Sequence, residues 1–501
     1  MIFQDVPPLL IDPLLLVEAR EVWTLIGKPG NPVWPGWDAR KTPILIYFPG
    51  RQDVLINHPN PPAGFRRYTG PIRSPIGAIY VRDGSTTFDM DGQNTSTKIG
   101  GVETLVIADT LSTRRQWVKG LAGAVTEDAE KADATIEKSL FANPFDTMTM
   151  FAHEAFHVHQ RNAAPEKHPD EMSLVEYPSL SVTNNVGNAL EADRLVAALS
   201  SKTTGEVRKE ALRWLAVRKA RRAVLPASSV AYEDATEFSE GLAKYVEYRS
   251  LQLWEGKRPA SEMWLVQGFR GYGNLAAERE RLVRRMKGYM DGSSGVNNDL
   301  YGASPVRFRL YYSGMAVAAL LDRLGAKWHD RIFRKEATLT GLVEEVLQPS
   351  GEDLAWNATP ARQEELRTEK ERLAAEGDAH VASEVAKFDS VPGELVIDYS
   401  ALKDPKIGFG YTSFGILRVD ADRNIFRLTP VLGSIDGFGF SESSARPVMH
   451  DRKEKRIHLQ LTQAPAASLA IADTLNLPGV KLTGVKGRFL HEGRRVVLLL
   501  E

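Results

Sequence analysis

Thr147-Met148-Thr149-Met150-Phe151-Ala152-His153-Glu154-Ala155-Phe156-His157-Val158-His159-Gln160 is the stretch on which the reading of this chain turns. On a helix, residues four apart share a face, so the imidazoles of His153 and His157 can reach one metal ion. Glu154 is rotated away from both but borders the same side. There it can take a proton from a metal-bound water rather than bind the metal itself. Asp146 is the expected N-cap of this helix. His159 points to another face and reads as a supporting or structural histidine rather than a ligand.

Composition narrows what else the metal can touch. The 501-residue chain contains no cysteine. Thiolate zinc sites, disulfides and cysteine nucleophiles are therefore excluded, and a transition metal must be held by imidazole and carboxylate. No Gly-x-x-His extension follows His157, because Gln160 and Ala163 stand at those positions, so the third ligand comes from elsewhere. Two carboxylates compete for it. Glu240 lies in EFSEGLAKYVEYRS, where the small neighbours Gly241 and Ala243 let two helices approach closely. Glu191 lies in NALEADRLVAAL; it could instead face solvent or orient a ligand histidine from behind.

Working outward, the chain reads as α+β and multidomain. Residues 1–123 form a sheet-rich N-terminal region and part of the cleft. They begin with a helix at PLLLVEAREVWTLIG (13–27). Strands follow at PILIYF (43–48), VLIN (54–57), IGAIYV (76–81) and VETLVIAD (102–109). WPGWD and HPNPPAGF read as packed turns. Residues 124–390 are mainly helical, with segments expected at 124–141, 146–162, 186–200, 205–224, 231–254, 276–291, 305–324, 326–348 and 360–388. The last, dense in Glu, Arg and Lys, reads as a solvated helix leading out of the domain. KARRAVL (219–225) with the preceding Arg218, a run holding Arg218, Lys219, Arg221 and Arg222, reads as a solvated basic face, with recognition of carboxylate or phosphate as the other option. Residues 391–501 alternate apolar and polar between Gly, Asp and Pro, as in a β-sandwich or barrel. Gly408-Phe409-Gly410 and Gly437-Phe438-Gly439 read there as turns or bulges.

His153-Glu154-Ala155-Phe156-His157 followed by Ser239-Glu240-Gly241-Leu242-Ala243 resembles the gluzincin metallopeptidases, whose third ligand is a glutamate in an N-E-G-x-A-like segment. Gly100-Gly101-Val102-Glu103-Thr104 is similar to the G-x-M-E-N strand of the aminopeptidase branch, and Tyr311-Tyr312-Ser313-Gly314 to its Y-x-K-G segment. Val102, Thr104 and Ser313 depart from those patterns, and the gap from His157 to Glu240 is longer than the family's. The resemblance spans about residues 100–325. It implies a thermolysin-like zinc catalytic region, Zn2+ on His153, His157 and Glu240, and Glu154 as general base. It further implies Tyr311 as oxyanion donor and Glu103 as the group holding a substrate amine. Tyr312 is the neighbouring candidate for the oxyanion role.

The expected function is therefore zinc-dependent hydrolysis of a peptide or protein substrate, with endopeptidase and aminopeptidase both open. The alternative is a non-catalytic protein that binds a peptide or partner on a peptidase-like fold. A net charge of −1 supplies no general attraction to nucleic acid. No apolar run reaches the roughly 20 residues that span a bilayer. The N-terminus lacks a basic start and carries acids within its apolar stretch, so it makes a poor signal peptide. The compartment stays open, export included.

Overall fold

A computed structural model describes residues 8–74, 76–84, 94–109, 143–293, 303–410, 415–427, 431–442, 446–466, 469 and 471–501. The helix expected at 124–141 lies outside the described residues. Within them the chain is α+β, with a sheet first, helices in the middle and further sheets at the end. No described helix is long and apolar enough to cross a membrane.

The N-terminal sheet contains β1 (Ile44–Phe48), β2 (Gln52–Ile56), β3 (Arg66–Arg67), β4 (Ile79–Asp83), β5 (Thr95–Ile99) and β6 (Val102–Ala108), in the order β3-β4-β2-β1-β6-β5. Only β1 and β6 of this sheet run parallel. β1 and β2 are buried along their whole length, which explains continuous apolar runs such as ILIYF instead of alternation. Ile44, Ile46, Val54, Ile56, Leu105 and Ile107 face the helices; Leu45, Tyr47, Leu55 and Val106 fill a smaller cluster on the other face. Gly100 and Gly101, at φ 54° and 82°, make the two-residue turn between β5 and β6.

The helices are α1 (Pro13–Ile26), α2 (Pro144–Ala163), α3 (Glu171–Glu176), α4 (Val182–Ser200), α5 (Thr204–Arg222), α6 (Ala227–Thr236) and α7 (Leu242–Trp254). After them come α8 (Ala276–Asp291), α9 (Ala303–Arg323), α10 (Leu339–Leu347), α11 (Gly351–Leu354) and α12 (Pro360–Asp389). The sheet's inner face, α1 and the helical layer share one hydrophobic core reaching from Ile11 to Leu347. Two expectations need correction. The single helix expected at 326–348 is a 3-10 turn at Arg331–Phe333 and then α10, because the Thr338 side chain caps a new helix start. The helix expected at 231–254 changes register at Glu237–Gly241, which is π-helical.

α12 is mostly exposed and, at about 1.5 Å per residue, spans roughly 45 Å. Its far end docks Val381 and Phe388 against Leu417, Ile425 and Met449 of the C-terminal part. That part holds two sheets. The larger joins β7 (Gly393–Asp398), β9 (Ile416–Arg418), β10 (Arg423–Phe426), β13 (Val448–Asp451), β14 (Arg456–Leu461), β17 (Arg488–Glu492) and β18 (Arg495–Leu499). The smaller joins β8 (Ile407–Gly410), β11 (Leu432–Ile435), β12 (Phe438–Glu442), β15 (Thr474–Leu477) and β16 (Val480–Thr483). Leu395, Ile457 and Leu459 from the first pack with Phe438, Phe440 and Leu482 from the second. Gly408-Phe409-Gly410 is thus strand β8, not a turn, because its backbone pairs with β11. Gly437, at φ 88°, does sit in a turn, while Phe438 and Gly439 already belong to strand β12.

Two of the acids within the apolar N-terminal stretch, Glu18 and Glu21, are buried on α1. Glu21 accepts hydrogen bonds from Ala260 N and Tyr272 Oη. Burial, with Asp12 nearby, pushes the Glu18 carboxyl up to about 8. Its protonated form is favoured in the fold, so its contribution to stability is complete below about 4.5 and is lost as pH rises to about 8. Glu18→Gln is expected to be more stable than the natural protein at pH 8, by on the order of 4 kcal/mol, and so to melt higher there, and to match it at pH 4. Thermal melts across pH 4–9 check this; equal melting at both ends contradicts it.

Candidate metal centre

The histidine helix is capped three residues earlier than expected from Asp146. Asn143 is the N-cap, accepting from Phe145 N at 3.1 Å, and Pro144 occupies the first turn, where its missing N–H costs nothing. Asp146 instead lies inside that first turn and pairs with Arg281. Along α2, Phe145, Met148, Ala152 and Phe156 pack into the core. Phe156 stands 4.7 Å from Trp34 and 5.3 Å from Trp37, ring centre to ring centre, which makes WPGWD the packed turn expected of it. His159 belongs to this aromatic nest, 5.1 Å from Phe333, and burial pushes it down to about 4. A neutral imidazole packed among rings is a structural histidine.

On the adjoining face His153 Nε2 lies 3.3 Å and His157 Nε2 3.4 Å from one atom, Glu240 Oε2. Glu154 borders the same place: its carboxylate and the two imidazoles offer ligand atoms within 4.8 Å of one another. An ion about 2.0–2.1 Å from each of its tetrahedral ligands separates those ligands by ~3.3–3.4 Å. The donor set therefore fits a small divalent metal in both chemistry and spacing.

Each imidazole is oriented from behind. His153 Nδ1 is 2.7 Å from Glu247 Oε1, which also takes Lys244 Nζ at 2.7 Å. His157 Nδ1 is 2.8 Å from Gln160 Oε1. Acceptors on both Nδ1 atoms place the ring protons there and turn the Nε2 lone pairs towards Glu240. Three lone-pair atoms meeting in a buried place need a cation between them, and without a metal a proton on His153 Nε2 fills that role. Burial lowers the His153 pKa, but the hydrogen bonds to Glu240 and Glu247 outweigh it and hold it at about 9. Burial raises the Glu240 carboxyl, but His157, His153 and Arg307 hold it well below the usual carboxylate range. Burial pushes the Glu154 carboxyl up, opposed by the two imidazoles.

Glu240 reaches this place through two local devices. It sits in the π-helical turn, where one extra residue per turn shifts which side chains face α2. Beyond it, Gly241 meets Gly314 of α9. A Cβ on Gly241 would lie 2.6 Å from the Gly314 Cα, so only glycine allows this approach. The expectation that small neighbours of Glu240 permit close helix contact is met here. The contact also brings α9 to the histidines. Tyr311 stacks on His153 with ring centres 6.2 Å apart, and burial, followed by the Glu240 charge, holds its phenol well above its ordinary range. Tyr312 turns the other way and stacks on Tyr289. One turn before Tyr311, Arg307 NH2 binds Glu240 Oε1 at 3.0 Å.

Glu191 is elsewhere. It is fully buried, with Arg218 Nε at 2.8 Å and Arg221 Nε at 2.6 Å. Arg218 also forks onto Glu237, with both contacts at 2.8 Å, and Arg221 onto Glu233 at 2.6 and 2.9 Å. Ser313 donates to Glu237 as well. The solvated face expected of this run is overturned for its arginines: Arg218 and Arg221 are buried because the protein's own glutamates surround them, while Lys219 stays exposed. Glu103, on β6, binds Arg161 of α2 at 2.9 Å, one turn past His157. Its charge is already met from within the chain.

Glu247, Gln160 and Arg307 escaped the sequence reading. Glu247 follows Glu240 by seven residues, two helical turns, and Arg307 precedes Tyr311 by four; both spacings mark a shared face. Gln160, three residues past His157, has a shared-face spacing as well. No protein family, curated protein or solved structure matches this chain.

Proposed function

We propose that the protein is a zinc-dependent metallopeptidase with a thermolysin-like catalytic region. The observation that carries this reading is the convergence of His153 Nε2 and His157 Nε2 on Glu240 Oε2, with Glu154 alongside. Two imidazoles and one carboxylate, without thiolate, form the His2Glu set that catalytic zinc uses. Zinc bound there supplies Lewis acidity, polarising a carbonyl and lowering the pKa of a water from 15.7 to about 7.

The chain's own groups do the rest. Glu154 takes the proton of the attacking water and passes it to the leaving amine. Tyr311 keeps its proton and donates a hydrogen bond to the developing oxyanion, a role worth about 10²–10³ in rate. Arg307 holds the outer oxygen of Glu240, leaving Oε2 for the metal. Since Glu103 is committed to Arg161, it does not offer a free carboxylate to a substrate amine, and we place the activity at internal peptide bonds.

The test is metal content followed by turnover. Protein loaded with zinc should hold about one ion per chain, cleave members of a mixed peptide library blocked at their N-termini, and stop when a chelator removes the metal. Glu240→Gln should weaken zinc binding by more than about 100-fold, since losing a direct ligand exceeds the 10–100-fold cost of an outer partner. Glu191→Gln should leave affinity unchanged. The reverse pattern would remove Glu240 from the site. One zinc per chain with no cleavage would favour the non-catalytic binding protein.

A further inference from the structure

The π-helical turn leaves a backbone group without its helical partner. Leu242 N donates to Glu237 O, five residues back, so the carbonyl of Phe238 loses the amide that an α-helix would give it. Gln160 fills that gap from α2. Its Nε2 donates to Phe238 O at 2.6 Å and to Ser239 O at 3.0 Å. Carbonyl oxygens only accept, so this end of the amide must be NH2 and the other end must be the oxygen. That oxygen faces His157 Nδ1 at 2.8 Å, which obliges Nδ1 to carry the proton and leaves Nε2 free. Gln160 is itself buried, so water does not replace either contact.

We propose that Gln160 is the positioning residue that couples the two halves of the centre: by binding the displaced carbonyls of the turn that bears Glu240, it fixes the amide orientation that sets the tautomer of His157. The π turn and the ligand histidine are then one unit. A shift of the turn towards α-helical register returns Leu242 N to Phe238 O, frees Gln160 to rotate, and releases His157 at the same time. The first half of this inference concerns the turn and stands without a metal; the second rests on the metal reading above.

Gln160→Met keeps the length and removes both hydrogen-bonding ends. In the full-length, metal-free protein, amide hydrogen exchange across Phe238–Ala243 should rise by about tenfold relative to the natural chain. Zinc affinity, measured by competition with a chelating dye, should fall 10–100-fold. Val54→Ala, a core truncation on β2, is the control. It should lower the melting temperature without moving either readout. If the Met variant does not fold, Gln160→Asn, one methylene too short to touch both partners, takes its place. Natural-like exchange across 238–243 overturns the strut. Raised exchange with natural zinc affinity overturns its coupling to His157. Failure of the natural chain to bind zinc would instead sink the proposed function, and the exchange result would still decide the strut.

Discussion

Glu154→Gln is expected to keep about one zinc per chain while losing about 10²–10⁴-fold in peptide hydrolysis. Glutamine has nearly the same shape and can still hydrogen-bond, but it cannot take a proton. The substitution leaves the ligand atoms of His153, His157 and Glu240 in place, so metal content and melting temperature should stay close to those of the natural protein. The loss should fall on kcat, because the missing interaction is made only as the proton moves. Steady-state kinetics on a single cleaved peptide, with metal analysis of the same sample, give the answer. A variant within about threefold of natural activity would remove Glu154 from the mechanism. Loss of zinc together with activity would make Glu154 a ligand instead.

Arg218→Met should be the most damaging single change to the fold, costing about 3–5 kcal/mol. The methionine fills much the same space but strands two glutamates. Glu191 keeps its closer contact to Arg221 but loses one of its two arginines, while Glu237 loses its forked partner and keeps only Ser313 and a longer contact to Arg222 at 3.7 Å. An uncompensated buried carboxylate carries a larger penalty than a missing pair. Removing the charge as well should therefore help. Arg218→Met with Glu237→Gln should recover at least about 1 kcal/mol of the loss. Denaturant unfolding measures both. Because Glu237 opens the turn that carries Glu240, the single variant should also weaken zinc binding. A cost below about 1 kcal/mol would mean that the network is only packing.

The short-range pattern was legible. His153, Glu154 and His157 share a turn, so their relation follows from helix geometry alone, wherever the helix sits. Strands such as Ile44–Phe48 and the C-terminal β segments announced themselves through apolar runs and turn residues. The small residues after Glu240 and the Tyr311–Gly314 segment were also readable. What could not be read was which distant pieces meet. KARRAVL has the composition of a surface, and only the arrival of Glu191, Glu233 and Glu237 makes it an interior.

The sequence by itself determined the histidine pair, its adjacent glutamate, the absence of thiolate ligands and the succession of sheet, helices and sheets. All of these depend on residue types and on spacings within one element. Tertiary structure decided the rest. Glu240 and Glu191 both sit in helical patterns, and only the small neighbours Gly241 and Ala243 favour the first. They differ because a π-helical turn and the Gly241–Gly314 contact carry one carboxylate to the histidines, while two buried arginines claim the other. Those outcomes depend on long-range packing and on a one-residue change of helical register, and neither leaves a periodic trace in the chain.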